Sequence, residues 1–125
     1  MSQKIKMPPT AAFMALTVLA LVSFLILQSY IIANTVEHTH RVILGSMIPS
    51  VVFGHIFAFI GGRGKRWATI SKALAIMAIL TFFIMQPYMI AHTIERSHRV
   101  VLGCLLPSVL AGHIFAYLTG RHGGP

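Results

Sequence analysis

Four long apolar runs constrain this chain of 125 residues more than any other feature. They cover residues about 10–33, 42–62, 69–92 and 100–119. Each is close to the roughly 20 residues that an α-helix needs to cross about 30 Å of hydrocarbon. Charged residues make up only 10% of the chain, against about 25% in an ordinary soluble domain. The sequence therefore predicts an all-α membrane protein with four transmembrane helices in a single domain, residues 1–125.

The second half of the chain repeats the first at an offset of 58 residues. Residues 37–63 read EHTHRVILGSMIPSVVFGHIFAFIGGR, and residues 95–121 read ERSHRVVLGCLLPSVLAGHIFAYLTGR. Repeat 1 spans about 10–63 and repeat 2 about 68–121, so each repeat is one helical hairpin. Both copies begin on the same side of the bilayer, which makes the repeat parallel, with a pseudo-twofold axis along the membrane normal. Short connections then predict an antiparallel four-helix bundle in which the second and fourth helices are diagonal neighbours.

The charged residues divide between the two ends of the predicted bundle. One end carries most of the cations: Lys4, Lys6, Arg63, Lys65, Arg66, Lys72 and Arg121. The other end carries both acids, Glu37 and Glu95. The positive-inside rule places both termini in the cytoplasm, and we expect a bacterial inner membrane. The net charge of +8 then reflects topology and attraction to anionic lipid rather than a nucleic-acid partner.

The two short turns carry helix-capping residues. Thr35 is predicted to N-cap the second helix over about 36–62, and Thr93 the fourth helix over about 94–119. A carboxylate two residues after each threonine complements the helix dipole. We expect these carboxylates to form ion pairs four residues further on, Glu37 with Arg41 and Glu95 with Arg99.

Two histidines occur in each copy of the repeat, at the same interval. His40 and His55 are 15 residues apart, as are His98 and His113. At 1.5 Å per residue this interval is roughly 22 Å along a helix, and the two side chains lie about 60° apart around it. Ionisable groups inside a membrane are costly and are functional candidates. Pairing by level brings His40 to His98 near the outer surface, and His55 to His113 further inside.

The repeated H-x14-H spacing resembles that of membrane-bound b-type cytochromes. In the cytochrome b subunit of bc-type complexes, two helices each carry a pair of histidines at a similar interval. The resemblance covers the second and fourth helices, and it implies two haems b, with the inner pair the stronger candidate, in a small electron-transfer protein. Haem binding would use His40, His98, His55 and His113 as iron ligands, Arg41 and Arg99 at the propionates, and Gly54 and Gly112 as space for the macrocycle.

The resemblance extends to partners and leaves other functions open. Quinone is the expected electron carrier, with Gln28, Gln86, Tyr30 and Tyr88 lining an outer pocket, and respiratory or photosynthetic membrane subunits are further partners; oligomer formation stays open. The absence of a nucleophile–base pair argues against hydrolysis. The alternatives are a cofactor-free accessory subunit, a small transporter, and a mononuclear non-haem metal site made by Glu37, His40, Glu95 and His98. Each histidine also has a purely structural interpretation, as a hydrogen-bonding or packing residue.

Overall fold

The computed structural model of the protein describes residues 9–64 and 66–123, and it confirms the predicted four-helix architecture. The helices are α1 (Pro9–Ala33), α2 (His38–Arg63), α3 (Ala68–Ala91) and α4 (Arg96–Gly123). All four are long and apolar enough to span a membrane. Three of the cations used in the charge argument, Lys4, Lys6 and Lys65, lie outside the described residues.

The turns between the helices are capped by different residues from those predicted. Glu37, not Thr35, is the N-cap of α2, and its Oε1 accepts a hydrogen bond from the backbone N–H of His40 at 3.0 Å. Glu95 does the same for His98 at 3.1 Å. The hydroxyl of Thr35 instead donates to the carbonyl of Ile31, at the end of the preceding helix. Each threonine therefore closes a helix rather than opening the next.

The predicted Glu–Arg ion pairs are replaced by these caps. Among the described residues, the ion-pair contact of Glu37 is with His40 Nδ1, at 3.9 Å, and not with Arg41. A backbone N–H at a helix start is a partner fixed in place, whereas an exposed arginine must lose side-chain entropy to form a surface pair. The cap is therefore the more favourable use of the carboxylate.

The bundle is built around direct packing of α2 against α4, as the repeat predicted. α1 packs mainly against α4, and α3 mainly against α2, whereas the two helices of each hairpin touch only sparsely. α1 and α3 meet through long side chains, as in the edge-to-face contact of Phe24 with Phe82 at 5.7 Å. Each hairpin is thus open, and its first helix packs on the second helix of the other repeat.

The core follows the repeat residue by residue. Its ten buried members form five pairs at the 58-residue offset: Phe24/Phe82, Ile31/Met89, Leu44/Leu102, Met47/Leu105 and Val51/Val109. A smaller cluster of Ala58, Ala75 and Ala116 lies nearer the end that carries residues 64–67, which we call the loop end. We call the opposite end, with residues 34–37 and 92–95, the turn end.

At the loop end, α2 and α4 touch through their backbones. A Cβ added to Gly62 would overlap the carbonyl oxygen of Tyr117, and one added to Gly120 would overlap that of Phe59. Small residues allow such close approach between membrane helices. Towards the turn end, leucine and methionine side chains fill the space between the same two helices. The distance between α2 and α4 is therefore smallest at the loop end, and this controls the geometry of the histidine pairs.

Candidate functional site

The inner pair, His55 and His113, lies where the sequence placed it. The two rings are buried in the α2–α4 interface at the same level, with 4% and 2% of their surface exposed. Their centroids are 4.3 Å apart, and the ring planes are inclined by 50°. The prediction that these imidazoles point into the core and at one another is confirmed.

Backbone hydrogen bonds fix the tautomer of both inner histidines. Nδ1 of His55 lies 2.8 Å from the carbonyl oxygen of Val51, and Nδ1 of His113 lies 2.9 Å from that of Val109. Because a carbonyl oxygen can only accept, each Nδ1 carries the proton and each Nε2 carries a lone pair. Neither Nε2 has a hydrogen-bond partner among the described residues. A metal-ligating histidine typically has its second ring nitrogen held in this way.

The space around the inner rings decides what they can bind. The His113 ring occupies the position where Gly54 would have a side chain, and the His55 ring does the same at Gly112. Metal–imidazole bonds are about 2.0–2.1 Å long, and in a haem the macrocycle lies between the two ligand rings. Rings in contact leave no layer for it, and the backbone contacts at Gly62 and Gly120 hold the helices together nearby. The donor atoms suit a haem, but the spacing at this level does not fit one.

A pair of glutamines crosses the core between the two histidine levels. Gln28 Nε2 donates to Gln86 Oε1 at 3.4 Å, and Gln86 Nε2 donates to Gln28 Oε1 at 3.2 Å. Their remaining donors reach the carbonyls of Leu44 and Leu102. Both amides are fully buried and satisfied by protein groups. They join α1 to α3, so the two glutamines do not line an outer pocket as predicted.

The outer pair, His40 and His98, lines one cavity of about 400 Å³ at the turn end. The ring of His98 packs edge-to-face on Tyr30 at 5.7 Å, and that of His40 packs edge-to-face on Tyr88 at 6.5 Å. Each tyrosine belongs to the first helix of the opposite repeat, so the crossed packing of the bundle positions both imidazoles. His92 also borders the cavity, 5.6 Å from His40 between ring centroids. The volume falls within the roughly 300–1,000 Å³ of typical small-molecule sites.

Two carboxylates and two arginines are the other predicted site residues at the turn end. Glu37 and Glu95 line the outer cavity, but their carboxylates cap helices. Among the described residues, no group of three or more His, Cys, Asp or Glu side chains is arranged to hold a metal ion. The structure thus gives no support to the non-haem site. Arg41 and Arg99 each follow an outer histidine in the sequence and are exposed, and neither is among the residues that line this cavity.

Sequence reasoning missed the glycines that set the inner spacing, although a signal was present. Gly62 and Gly120 each follow the inner histidine of their helix by seven residues, which is nearly two full turns. Glycine and histidine therefore lie on the same face, and a close helix contact on that face was predictable. That the contact joins α2 to α4 follows from the tertiary structure alone.

Fold and site together define the class: an integral membrane protein of four helices, with a histidine pair at each of two levels between α2 and α4. No protein family, curated protein or solved structure gives a significant match to the chain.

Proposed function

We propose that this protein is a small b-type cytochrome that transfers electrons in the membrane, with one haem held at the outer level by His40 and His98. The observation that carries the proposal is that these two imidazoles, on facing helices and at equivalent repeat positions, line a single cavity of about 400 Å³. Bound there, haem iron would supply reversible one-electron chemistry.

The surrounding residues have definable roles in such a site. Tyr88 and Tyr30 hold the edges of the His40 and His98 rings and so restrict their rotation. The Glu37 and Glu95 caps fix the first turns from which the histidines project. Arg41 and Arg99, each one residue beyond a ligand, are the proposed partners of the haem propionates, since guanidinium binds carboxylate in a bidentate fashion.

The proposal of one haem does not include the inner pair, His55 and His113, as iron ligands. A second haem between His55 and His113 stays a prediction, and it requires α2 and α4 to part at the loop end. The contact between the two rings favours a second candidate, a bundle without cofactor that acts as an accessory subunit. Two buried, unpaired acceptors are costly, roughly 1–3 kcal/mol each, which argues that the pair serves more than packing.

The orientation and the partners complete the proposal. Arg63, Arg66, Lys72 and Arg121 are at the loop end, with Lys4, Lys6 and Lys65 joining them by sequence. We propose that this end faces the cytoplasm of a bacterial cell, so that the haem level is near the opposite surface. A membrane quinone, or a respiratory or photosynthetic subunit, would then exchange electrons with the haem.

Counting haems in single-histidine variants tests the proposal. The protein, expressed with ample haem and purified in detergent, is expected to show a Soret band and one haem per chain by pyridine haemochrome. His40→Ala or His98→Ala should remove the haem, whereas His55→Ala and His113→Ala should retain it. Size-exclusion chromatography of each variant controls for loss of folding.

Other numbers of haems per chain would lead to different conclusions. Two haems per chain, with one lost in each single variant, would establish the inner level as a site as well. A parent without any Soret band would overturn the proposal and favour the cofactor-free accessory subunit.

A further inference from the structure

Two clefts related by the repeat open on the sides of the bundle. One lies along α1 and α2 with a volume of about 280 Å³ and includes His55 in its lining, and the other lies along α3 and α4 with a volume of about 300 Å³ and includes His113. They occur where the two helices of each hairpin pack sparsely. Exposed aliphatic side chains line both clefts, Val18 in the first and Ile76 at the equivalent position in the second. In a membrane-spanning bundle such side chains face the acyl chains of lipid.

The two clefts differ in charge at one position near the loop end. Lys72, in the second turn of α3, lines the α3–α4 cleft, and its repeat equivalent in the α1–α2 cleft is Met14. The stem of Lys72 lies against Gly61, where a Cβ would come within 2.8 Å of its Cγ. The residue equivalent to Gly61 is Thr119. Only at the α3–α4 cleft does a residue without a side chain leave room for a lysine stem.

Lys72 has no acidic partner in the part of the chain that the structure describes. The chain holds two acidic side chains, Glu37 and Glu95, and both lie at the turn end. Among the described residues Lys72 forms no ion pair. A lysine with its stem along an apolar surface and its ammonium group at the end of a helix reaches the level of lipid headgroups.

We propose that the α3–α4 cleft is a binding site for one anionic phospholipid. An acyl chain fills the cleft beside Ile76, and the phosphate group, whose negative charge no cation of the headgroup offsets in an anionic lipid, pairs with Lys72. The α1–α2 cleft has a similar volume but lacks the cation, so it does not distinguish anionic from zwitterionic lipid. This site is independent of the haem proposed between His40 and His98, since that haem lies at the turn end and Lys72 lies near the loop end.

Fluorescence quenching by brominated lipid tests the site, and the equivalent α1–α2 cleft serves as the control. The chain has one tryptophan, Trp67, which is replaced by Phe so that a single reporter can be placed in either cleft. Ile76→Trp reports on the α3–α4 cleft, one turn deeper than Lys72, and Val18→Trp reports on the equivalent depth of the α1–α2 cleft. Both proteins are reconstituted in phosphatidylcholine vesicles containing phosphatidylglycerol or phosphatidylcholine that is dibrominated near the headgroup.

Brominated phosphatidylglycerol should quench the Ile76→Trp reporter with a relative association constant about fivefold above that of brominated phosphatidylcholine, the factor expected for one lysine near anionic lipid. The Val18→Trp reporter should show a ratio near one. Lys72→Met should lower the first ratio to about one. The double variant Met14→Lys/Lys72→Met keeps the net charge, and it too should lose the preference at Ile76→Trp.

Four outcomes would overturn the site. An equal preference for phosphatidylglycerol in both clefts would show a general attraction of anionic lipid to the loop end. A preference that survives in Met14→Lys/Lys72→Met would show the same. Absence of any preference at Ile76→Trp would show a cleft that binds lipid without regard to headgroup charge. If neither brominated lipid quenches the Ile76→Trp reporter and the protein is a dimer in detergent, a second copy of the chain covers the cleft.

Discussion

At the scale of single residues, the inner site is determined by which atoms face each imidazole. The ring of His113 rests where Gly54 lacks a side chain, and Ala78 closes the same space from α3. In contrast, a Cβ at Gly45, nine residues earlier in α2, would have no neighbour within 4 Å. The same amino acid in one helix therefore serves close packing at one position and leaves open space at another.

This contrast predicts opposite effects for two alanine substitutions in α2. Gly54→Ala should lower the free energy of unfolding by about 1–3 kcal/mol, because the new methyl group overlaps the His113 ring. Gly45→Ala should be neutral or stabilising by up to about 1 kcal/mol, because alanine favours a helix. Denaturation in detergent, followed by circular dichroism, measures both.

A double-mutant cycle identifies the cause. Adding His113→Ala to Gly54→Ala should recover part of the lost stability, since the ring that the methyl group meets is gone. Independent, additive losses would contradict the ring contact.

At the scale of helices, the turn end is organised by two equivalent N-caps. Glu37 and Glu95 each accept from the backbone N–H three residues ahead, which belongs to His40 in α2 and His98 in α4. A carboxylate at this position also interacts favourably with the helix dipole. The caps therefore stabilise the two turns that carry the outer histidines.

Loss of the Glu37 cap should destabilise the bundle more than loss of Thr35, the residue that the sequence predicted as the cap. Glu37→Ala should cost about 0.5–2 kcal/mol, the usual range for loss of an N-cap. Thr35→Ala is the matched control, because its hydroxyl only donates to the Ile31 carbonyl behind it. Thermal denaturation in detergent measures both variants; a larger loss for Thr35→Ala would contradict the assignment of the cap.

At the scale of the whole molecule, charge and the crossed packing of the repeats define two unlike ends. The chain's ten cations divide unevenly, with three of them, Arg41, Arg96 and Arg99, at the turn end beside both acids. The proposed orientation places the turn end, with its cavity, away from the cytoplasm.

Single-cysteine labelling of intact cells measures this orientation. Cys104 is first replaced by Ser, and a cysteine is then placed at an exposed position of either end, as His38→Cys or Trp67→Cys. A membrane-impermeant maleimide should label position 38 in intact cells and position 67 only after lysis. Labelling of position 67 from outside would reverse the proposed topology.

The sequence by itself determined the four helices, their antiparallel order and the pairing of histidines by level. α3 differs by one residue at each end from the apolar run that predicted it, and the other helices differ by a few residues at their ends. These properties are local or follow from the repeat: a long apolar run must be helical in a bilayer, and an offset of 58 residues puts equivalent side chains at equal depth.

Only the tertiary structure decided how far apart the paired side chains lie. The sequence indicated room for a macrocycle beside Gly54, but glycines of both helices bring α2 and α4 into backbone contact, and the imidazoles fill that room. The mutual hydrogen bonds of Gln28 and Gln86 likewise depend on α1 and α3 standing on opposite sides of the core. The distance between two helices results from side chains contributed by both, so no pattern within either helix specifies it.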